Sequence, residues 1–171
     1  MVTLSDFIRD VPDFPKEGIL FKDITTLLHD ATAFRQTIDE LEERCRAYGA
    51  TKIVGIESRG FIFAAPLADR LGAGFVPARK LGRLPADTVR AEYALEYGTN
   101  TVEMHRDAIE PGERVLIVDD LLATGGTCRA SIDLVEQLGG VVVGCAFLIE
   151  LTFLEGRAAL PGYDVQVLIS Y

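Results

Sequence analysis

The sequence lacks the residues that mark several large classes of protein. It contains no tryptophan, only three cysteines and only two histidines among its 171 residues. Cys45, Cys128 and Cys145 are odd in number and widely spaced, with no CxxC pair, so they suggest neither a disulfide framework nor a zinc site. His29 and His105 also lack the spacing of metal ligands. A reducing compartment, the cytoplasm, fits this composition best.

Long hydrophobic runs and an excess of positive charge are absent as well. The longest apolar stretch, 141–149, is about half of the ~20 residues that cross a bilayer. Charged residues at positions 6, 9 and 10 interrupt the region where a secretory signal needs an apolar core. The formal net charge is −9, a field that repels a phosphate backbone. We therefore expect no export signal, no membrane span and no non-specific binding to nucleic acid.

The pattern that is present predicts one domain of the α/β class. Apolar runs with β-branched residues predict strands at 52–56, 74–80, 114–120 and 141–151. Amphipathic or apolar helical patterns lie between or before them, at 31–49, 61–72 and 127–140. Because the strands are continuous apolar runs, they indicate a mostly parallel sheet with helices on both faces.

Two segments depart from this alternation. Pro12, Pro15 and Gly18 disfavour regular structure in 11–28, which we expect to be an extended segment that lies over another part of the protein as a hood. Residues 81–109 join a basic loop to two alternating runs that predict a β-hairpin around Gly98. A loop this long is more often functional.

The segment 115–127, VLIVDDLLATGGT, combines residue types that suit a phosphorylated ribose. We expect a strand to end at Asp119 and Asp120, whose carboxylates can accept hydrogen bonds from ribose hydroxyls. A loop of small residues then opens a helix: Ala123, Thr124, Gly125, Gly126 and Thr127. Backbone N–H groups at a helix N-terminus bind phosphate, and glycines admit it closely. An ordinary strand-to-helix turn would not explain two acids, two glycines and two threonines at one junction.

This motif resembles the phosphoribosyl pyrophosphate (PRPP) motif of type I phosphoribosyltransferases. Four further segments, FPKEGILFKDITTLL, GIESRGF, RKLGRLP and YALEYGT, make nearly the whole chain similar to the adenine phosphoribosyltransferase family. The resemblance implies the type I phosphoribosyltransferase fold, with an N-terminal hood at 1–30 and a flexible loop and hairpin at 81–109. It also implies a cytoplasmic, homodimeric enzyme of purine salvage that converts adenine and PRPP to AMP and pyrophosphate, with Mg²⁺ carried by the pyrophosphate.

The same resemblance implies roles for the residues that bind PRPP. It assigns the 5′-phosphate to 123–127 and the ribose hydroxyls to Asp119 and Asp120. Pyrophosphate is implied to bind a turn and a basic loop, made of Glu57, Ser58, Arg59 and Gly60, and of Arg79, Lys80 and Arg83. Arg79 is implied to reach the pyrophosphate of the neighbouring subunit. From the residues alone, a surface turn with a Glu–Arg pair and a solvated basic loop are the alternatives.

Adenine is implied to meet two other segments. Leu20, Phe21 and Lys22 match the residues that read the base edge and stack on the ring, although Phe21 could instead be a core aromatic residue. Glu96 matches an acidic residue near the imidazole edge, where it could accept the proton lost as the glycosidic bond forms. Alternation along the hairpin would place Glu96 and Ala94 on one face, so a solvated strand glutamate is the alternative.

Two other functions stay open. A phosphoribosyltransferase for hypoxanthine, guanine, xanthine or orotate would share the phosphate loop, but the segments FKDITTLL and LEYGT favour adenine. A non-catalytic sensor of PRPP or purines would need a basic nucleic-acid-binding part, for which a single domain of net charge −9 has no room.

Overall fold

The structure, a computed structural model, describes residues 1–95 and 97–171. The chain forms two compact units, residues 1–40 and 41–171, and each contains one sheet. Within the described residues, every helix is too short or too polar to span a membrane. The expectation of a single domain, with a hood at 1–30 and a flexible segment at 81–109, stays a prediction.

The first unit is built around a two-stranded antiparallel sheet, in which Val11 lies opposite Phe21. Its elements in chain order are a 3-10 turn (Leu4–Phe7), strands β1 (Arg9–Pro12) and β2 (Leu20–Asp23), and helix α1 (Thr25–His29). Helix α2 (Ala31–Cys45) then crosses the boundary between the units. Its residues Ile38, Leu41 and Cys45 are buried, as the amphipathic pattern predicts.

The expectation that residues 11–28 lack regular structure is wrong. Pro12 is the last residue of β1, a position at which a strand tolerates the missing N–H. The turn between the strands is closed by a hydrogen bond of 2.8 Å from the amide of Gly18 to the Asp13 carboxylate. Gly18 has a φ of 85°, which glycine adopts without strain. The residues that disfavour a strand interior therefore make the turn of a hairpin.

The second unit is built around a seven-stranded sheet of order β5-β6-β4-β3-β7-β8-β9. Its strands are β3 (Lys52–Ile56), β4 (Gly74–Lys80), β5 (Thr88–Ala94), β6 (Thr99–His105), β7 (Arg114–Leu122), β8 (Val141–Glu150) and β9 (Val165–Ser170). The five strands from β4 to β9 in this order are parallel to one another, and β6 is antiparallel to both of its neighbours, β4 and β5. Two helices accompany them, α3 (Arg59–Leu71) and α4 (Gly126–Gln137). Three 3-10 turns complete the unit, Arg46–Tyr48, Thr152–Leu154 and Gly156–Ala159.

The two helices cover opposite faces of this sheet. Two neighbouring residues of β3 show this, since successive strand residues point to opposite sides. Val54 of β3 belongs to the buried cluster that contains Ile132 and Val135 of α4. Its neighbour Gly55 faces α3, since a Cβ there would lie 2.8 Å from the Cβ of Ala64. The prediction of a mostly parallel sheet flanked by helices is confirmed.

Several element boundaries differ from expectation in a way that matters for the site. Strand β7 continues past Asp119 and Asp120, because Leu121 and Leu122 still pair with β8. The expectation that the strand ends at the two aspartates is therefore wrong. Strand β9, the edge strand beside β8, was not predicted, although its sequence VQVLIS alternates partly between polar and apolar residues.

Candidate active site

A cavity of about 320 Å³ opens at the carboxyl ends of β3, β4 and β7. It brings together many of the residues expected to bind PRPP: Glu57, Ser58, Arg59, Arg79, Lys80, Asp119, Asp120 and Thr127. A smaller adjoining cavity of about 80 Å³ is lined by the whole phosphate loop, 123–127. The two cavities share Asp119, Leu121 and Thr127. Segments far apart in sequence therefore converge at the edge where ligands sit in open α/β sheets.

The phosphate loop has the backbone that its sequence predicts. Gly125 has a φ of 86° and stands at the N-cap of α4, whose first residue is Gly126. The first amides of a helix have no intrahelical partner, and the first residues of α4, Gly126 to Cys128, line the small cavity, so their amides are available there as donors for an anion. A Cβ at Gly126 would lie 3.4 Å from the ring of Tyr93, which leaves little room for a larger residue.

The two aspartates differ in their surroundings. The Asp119 carboxylate accepts a hydrogen bond of 2.8 Å from the amide of Asp120, and burial together with the neighbouring Asp120 raises its pKa well above the usual range. The Asp120 carboxylate lies 2.6 Å from Nε of Arg59. The negative charge of Asp120 in turn raises the pKa of Arg59. The two carboxylates therefore share one nearby cation, the guanidinium of Arg59.

Gly60 does not line the cavity, but its position explains why it is glycine. A Cβ there would lie 2.9 Å from Oδ1 of Asp119 and 3.0 Å from the carbonyl oxygen of Val118. The first turn of α3 can approach β7 this closely only without a side chain. The turn 57–60 thus brings Arg59 to Asp120.

The basic loop contributes to the same cavity through Arg79 and Lys80. The Glu57 carboxylate accepts a hydrogen bond of 2.8 Å from the Lys80 amide and lies 3.3 Å from the guanidinium of Arg79. Burial alone would raise the pKa of Glu57, but these two contacts outweigh it and lower the pKa. The side chain of Arg83 does not line the cavity, and its carbonyl accepts a bond of 3.4 Å from Arg79. Arg79 lines the cavity of its own chain. The expectation that it reaches the pyrophosphate of the neighbouring subunit stays a prediction.

Glu96, the expected general base, lies outside the described residues. The hairpin that carries it is confirmed, with the amide of Leu95 bonded to the carbonyl of Gly98 at 2.9 Å. Strand β5 ends at Ala94.

The residues expected to bind adenine lie on β2 in the first unit. The ring of Phe21 meets that of Phe14 edge-on, with centroids 5.0 Å apart. Both rings line an open, apolar cavity of about 290 Å³. Leu20 is exposed, and Nζ of Lys22 lies 2.6 Å from the Asp10 carboxylate. Phe21 is thus partly exposed at a cavity rather than a core aromatic residue.

Two residues with polar side chains line the large cavity but are not predicted from the sequence. Tyr93 of β5 and Thr101 of β6 both line it. Alternation along the hairpin groups Tyr93 with Asn100, whereas Thr101 lies on the other face with Glu92, so no single face of the predicted hairpin could have selected both.

The fold and this site define a phosphoribosyl transferase. The model of the phosphoribosyl transferase domain family matches residues 25–164. The chain is 60% identical to the adenine phosphoribosyltransferase of Gloeobacter violaceus over 98% of this chain and 99% of the relative. It belongs to the adenine phosphoribosyltransferases within that family.

Solved structures agree with this placement. The adenine phosphoribosyltransferase of Thermoanaerobacter pseudethanolicus is 56% identical, with a TM-score of 0.96 over 98% of both chains. The enzyme of Saccharomyces cerevisiae, solved in complex with adenine and an iminoaltritol bisphosphate, is 41% identical, with a TM-score of 0.93 over 96% of both chains.

Proposed function

We propose that this protein transfers the 5-phosphoribosyl group of PRPP to adenine, giving AMP and pyrophosphate. The observation that carries the proposal is the cavity in which the acid pair Asp119–Asp120, the phosphate loop and two arginines converge. The choice of adenine is supported by the family, since the yeast relative was solved with adenine bound.

The chemistry assigns a task to each part of the cavity. N9 of adenine forms a bond to C1′ of the ribose, the bond from C1′ to pyrophosphate breaks with its electron pair, and N9 loses a proton. The phosphate loop holds the 5′-phosphate through backbone N–H groups. Asp119 and Asp120 accept hydrogen bonds from the ribose hydroxyls and favour positive charge at C1′ in the transition state.

Arg59 and Arg79 are proposed to bind the pyrophosphate. Each is paired with a carboxylate, Arg59 with Asp120 and Arg79 with Glu57. Phosphate oxygens are strong acceptors for guanidinium groups, so substrate binding exchanges one acceptor for another rather than burying an unpaired cation. The basic side chains then stabilise the charge of the departing pyrophosphate.

Mg²⁺ is proposed to enter with the pyrophosphate. Within residues 1–95 and 97–171, no three His, Cys, Asp or Glu side chains are grouped as a metal site. The cavity does offer hard oxygen atoms, from Asp119 and Asp120, beside the proposed phosphate positions. That donor set fits Mg²⁺, which keeps water ligands and is usually held by phosphates with one or two carboxylates. When bound, the ion neutralises charge on the leaving group.

The remaining roles follow the family resemblance. Leu20, Phe21 and Lys22 are proposed to bind adenine, Glu96 to accept its proton, and the protein to act as a cytoplasmic homodimer. Glu96→Leu should lower turnover much more than it weakens PRPP binding, because the proton acceptor acts after the substrate is bound. Steady-state kinetics check this against Glu92→Leu, a change of the same kind at an exposed position of β5. Unchanged turnover in Glu96→Leu would remove the role.

A chromatographic product assay tests the proposed function. The protein is supplied with PRPP, Mg²⁺ and one base at a time: adenine, hypoxanthine, guanine, xanthine or orotate. AMP formed from adenine, and lost when a chelator replaces Mg²⁺, is the expected result. Nucleotide from another base would contradict the assignment of residues 20–22, and no nucleotide with PRPP still bound would indicate a sensor instead of an enzyme.

A further inference from the structure

A segment with no assigned role lies directly behind the phosphate loop. We name residues 151–160, which contain two of the 3-10 turns, the backing segment. A Cβ at Gly125 in the loop would lie 2.5 Å from the carbonyl oxygen of Gly156 in this segment. A Cβ at Gly156 would lie 2.4 Å from the carbonyl oxygen of Ala123. The two backbones are therefore in direct contact, and each contact requires a glycine.

The backing segment is fixed at its ends. The amide of Leu151 donates a hydrogen bond of 3.0 Å to the carbonyl of Leu122, the residue just before the loop. Leu160 is buried, with 2% of its surface exposed, and belongs to the core of the unit. The backing segment is therefore hydrogen-bonded at its start to β7, the strand that leads into the phosphate loop, and its last side chain is buried in the core of the unit.

An ion pair locks the middle of the segment. Arg157 donates two hydrogen bonds to the carboxylate of Glu150, of 2.8 Å from Nε and 2.9 Å from Nη2. Glu150 is the last residue of β8 and is only 5% exposed. Nη1 of Arg157 also donates to the carbonyl of Val165, at 3.3 Å. A two-pronged pair of this kind fixes orientation as well as distance, which a lysine could not do.

This arrangement bears on binding because the loop recognises phosphate with its backbone. Amides held in place need no reordering when the anion arrives, whereas a misplacement of about 1 Å can cost ~100-fold in a preorganised site. The backbones of Ala123 and Gly125 lie against that of Gly156. A displacement of the backing segment would therefore also displace the amides of the phosphate loop. A segment that only closed the end of the core would leave phosphate affinity unaffected.

We propose that the backing segment positions the phosphate loop, with Gly156 as the spacer and the Glu150–Arg157 pair as the lock. The proposal rests on the proposed function only in assuming that residues 123–127 bind the 5′-phosphate. Gly156 and Arg157 are positioning residues, since they act through Ala123 and Gly125.

Gly156→Ala tests the spacer. The new methyl group must push the Ala123 carbonyl away, so the dissociation constant of ribose 5-phosphate and the KM for PRPP should both rise by roughly tenfold or more. The turnover number at saturating PRPP should fall by no more than about threefold, because the reacting groups are unchanged. Calorimetry with ribose 5-phosphate and steady-state kinetics give the two readings.

Gly140→Ala is the matched control. Its Cβ would lie 2.7 Å from Ile109 and 2.8 Å from Val135, a similar crowding just beyond the other end of α4. It should lose comparable stability and keep its affinity for ribose 5-phosphate. Arg157→Lys, which keeps the charge beside Glu150 but loses the fork, should weaken ribose 5-phosphate binding by a smaller factor and serves if Gly156→Ala does not fold.

Binding of ribose 5-phosphate separates this proposal from the proposed function, because it needs no catalysis. A wild-type protein that forms no AMP would overturn the function alone. Unchanged ribose 5-phosphate affinity in folded Gly156→Ala and Arg157→Lys, or an equal loss in Gly140→Ala, would overturn the role of the backing segment.

Discussion

Adjacent carboxylates near the carboxyl end of a buried strand are unfavourable, because the like charges repel and burial removes water from them. Asp119 and Asp120 are consecutive, and a single guanidinium, that of Arg59, is paired with one of them. The raised pKa of Asp119 is the consequence, since burial and a like charge both favour its protonated form. The two carboxylates therefore destabilise the fold, and their proposed task is to bind the ribose hydroxyls.

Asp119→Asn should therefore stabilise the empty protein while impairing its function. A carboxyl whose pKa is raised on folding binds its proton more tightly in the folded state, so the free energy of unfolding falls as pH rises above the unfolded pKa. Asparagine does not titrate, so the variant does not lose stability in this way as pH rises. The stability of the variant relative to wild type should increase from about pH 4 towards neutral pH, as urea unfolding at several pH values would measure.

In the same variant, the affinity for ribose 5-phosphate should fall although the stability rises. Loss of one charged acceptor should weaken ribose 5-phosphate binding by ~10-fold or more, the usual range for a hydrogen bond to a charged group. Asp133→Asn, on the exposed side of α4 where Asp133 pairs with Arg129, is the control and should alter neither quantity in this way. An Asp119→Asn variant less stable than wild type at neutral pH would contradict this description of the carboxylate pair.

At the scale of elements, β1 and β2 depend on one aspartate. The Asp23 carboxylate accepts bonds of 2.9 Å from the Thr25 amide and 2.7 Å from its hydroxyl, and lies 2.6 Å from the Arg9 guanidinium. The two bonds from Thr25, followed by the contact with Arg9, lower its pKa from 3.8 to about 2. This one side chain thus joins the end of β2 to β1 and to the start of α1.

Asp23→Asn should loosen the hairpin that carries residues 20–22. Asparagine keeps a neutral acceptor for Thr25 but loses the charge that faces Arg9 and strengthens these bonds. Amides of β1 and β2 should therefore exchange with deuterium faster than in wild type, whereas Glu17→Gln in the exposed turn should change little. A lowered pKa means that the stabilisation is present above the unfolded pKa and is lost as pH falls towards 2. A stability difference that persisted at pH about 2 would show that the Asp23 charge is not its source.

Elements with a strong local pattern could be predicted from the sequence. Strand β3 is rich in β-branched residues, the apolar pair Phe75 and Val76 lies near the start of β4, and the predicted bounds of both strands are those of the structure. The first unit could not be predicted this way, because Pro12 and Gly18 favour a break by themselves and act as a strand end and a turn only when two strands pair. The end of β7 was misplaced for a similar reason, since pairing with β8 carries the strand past two aspartates.

At the scale of the whole molecule, the candidate site is only partly local. The phosphate loop and the acid pair are contiguous in sequence, so the motif itself predicts their proximity. The pairing of Arg59 with Asp120 and of Arg79 with Glu57, and the presence of Tyr93 in the cavity, depend on the order of strands in the sheet. The contact of Gly156 with the phosphate loop depends in addition on the chain beyond β8, for which the sequence shows no motif.

A crystal structure of this protein with AMP bound would test the central assignment most directly. The account predicts the 5′-phosphate on the amides of 123–127, both ribose hydroxyls on Asp119 and Asp120, and the adenine ring against residues 20–22. A phosphate bound elsewhere, or ribose hydroxyls directed away from the two aspartates, would contradict it.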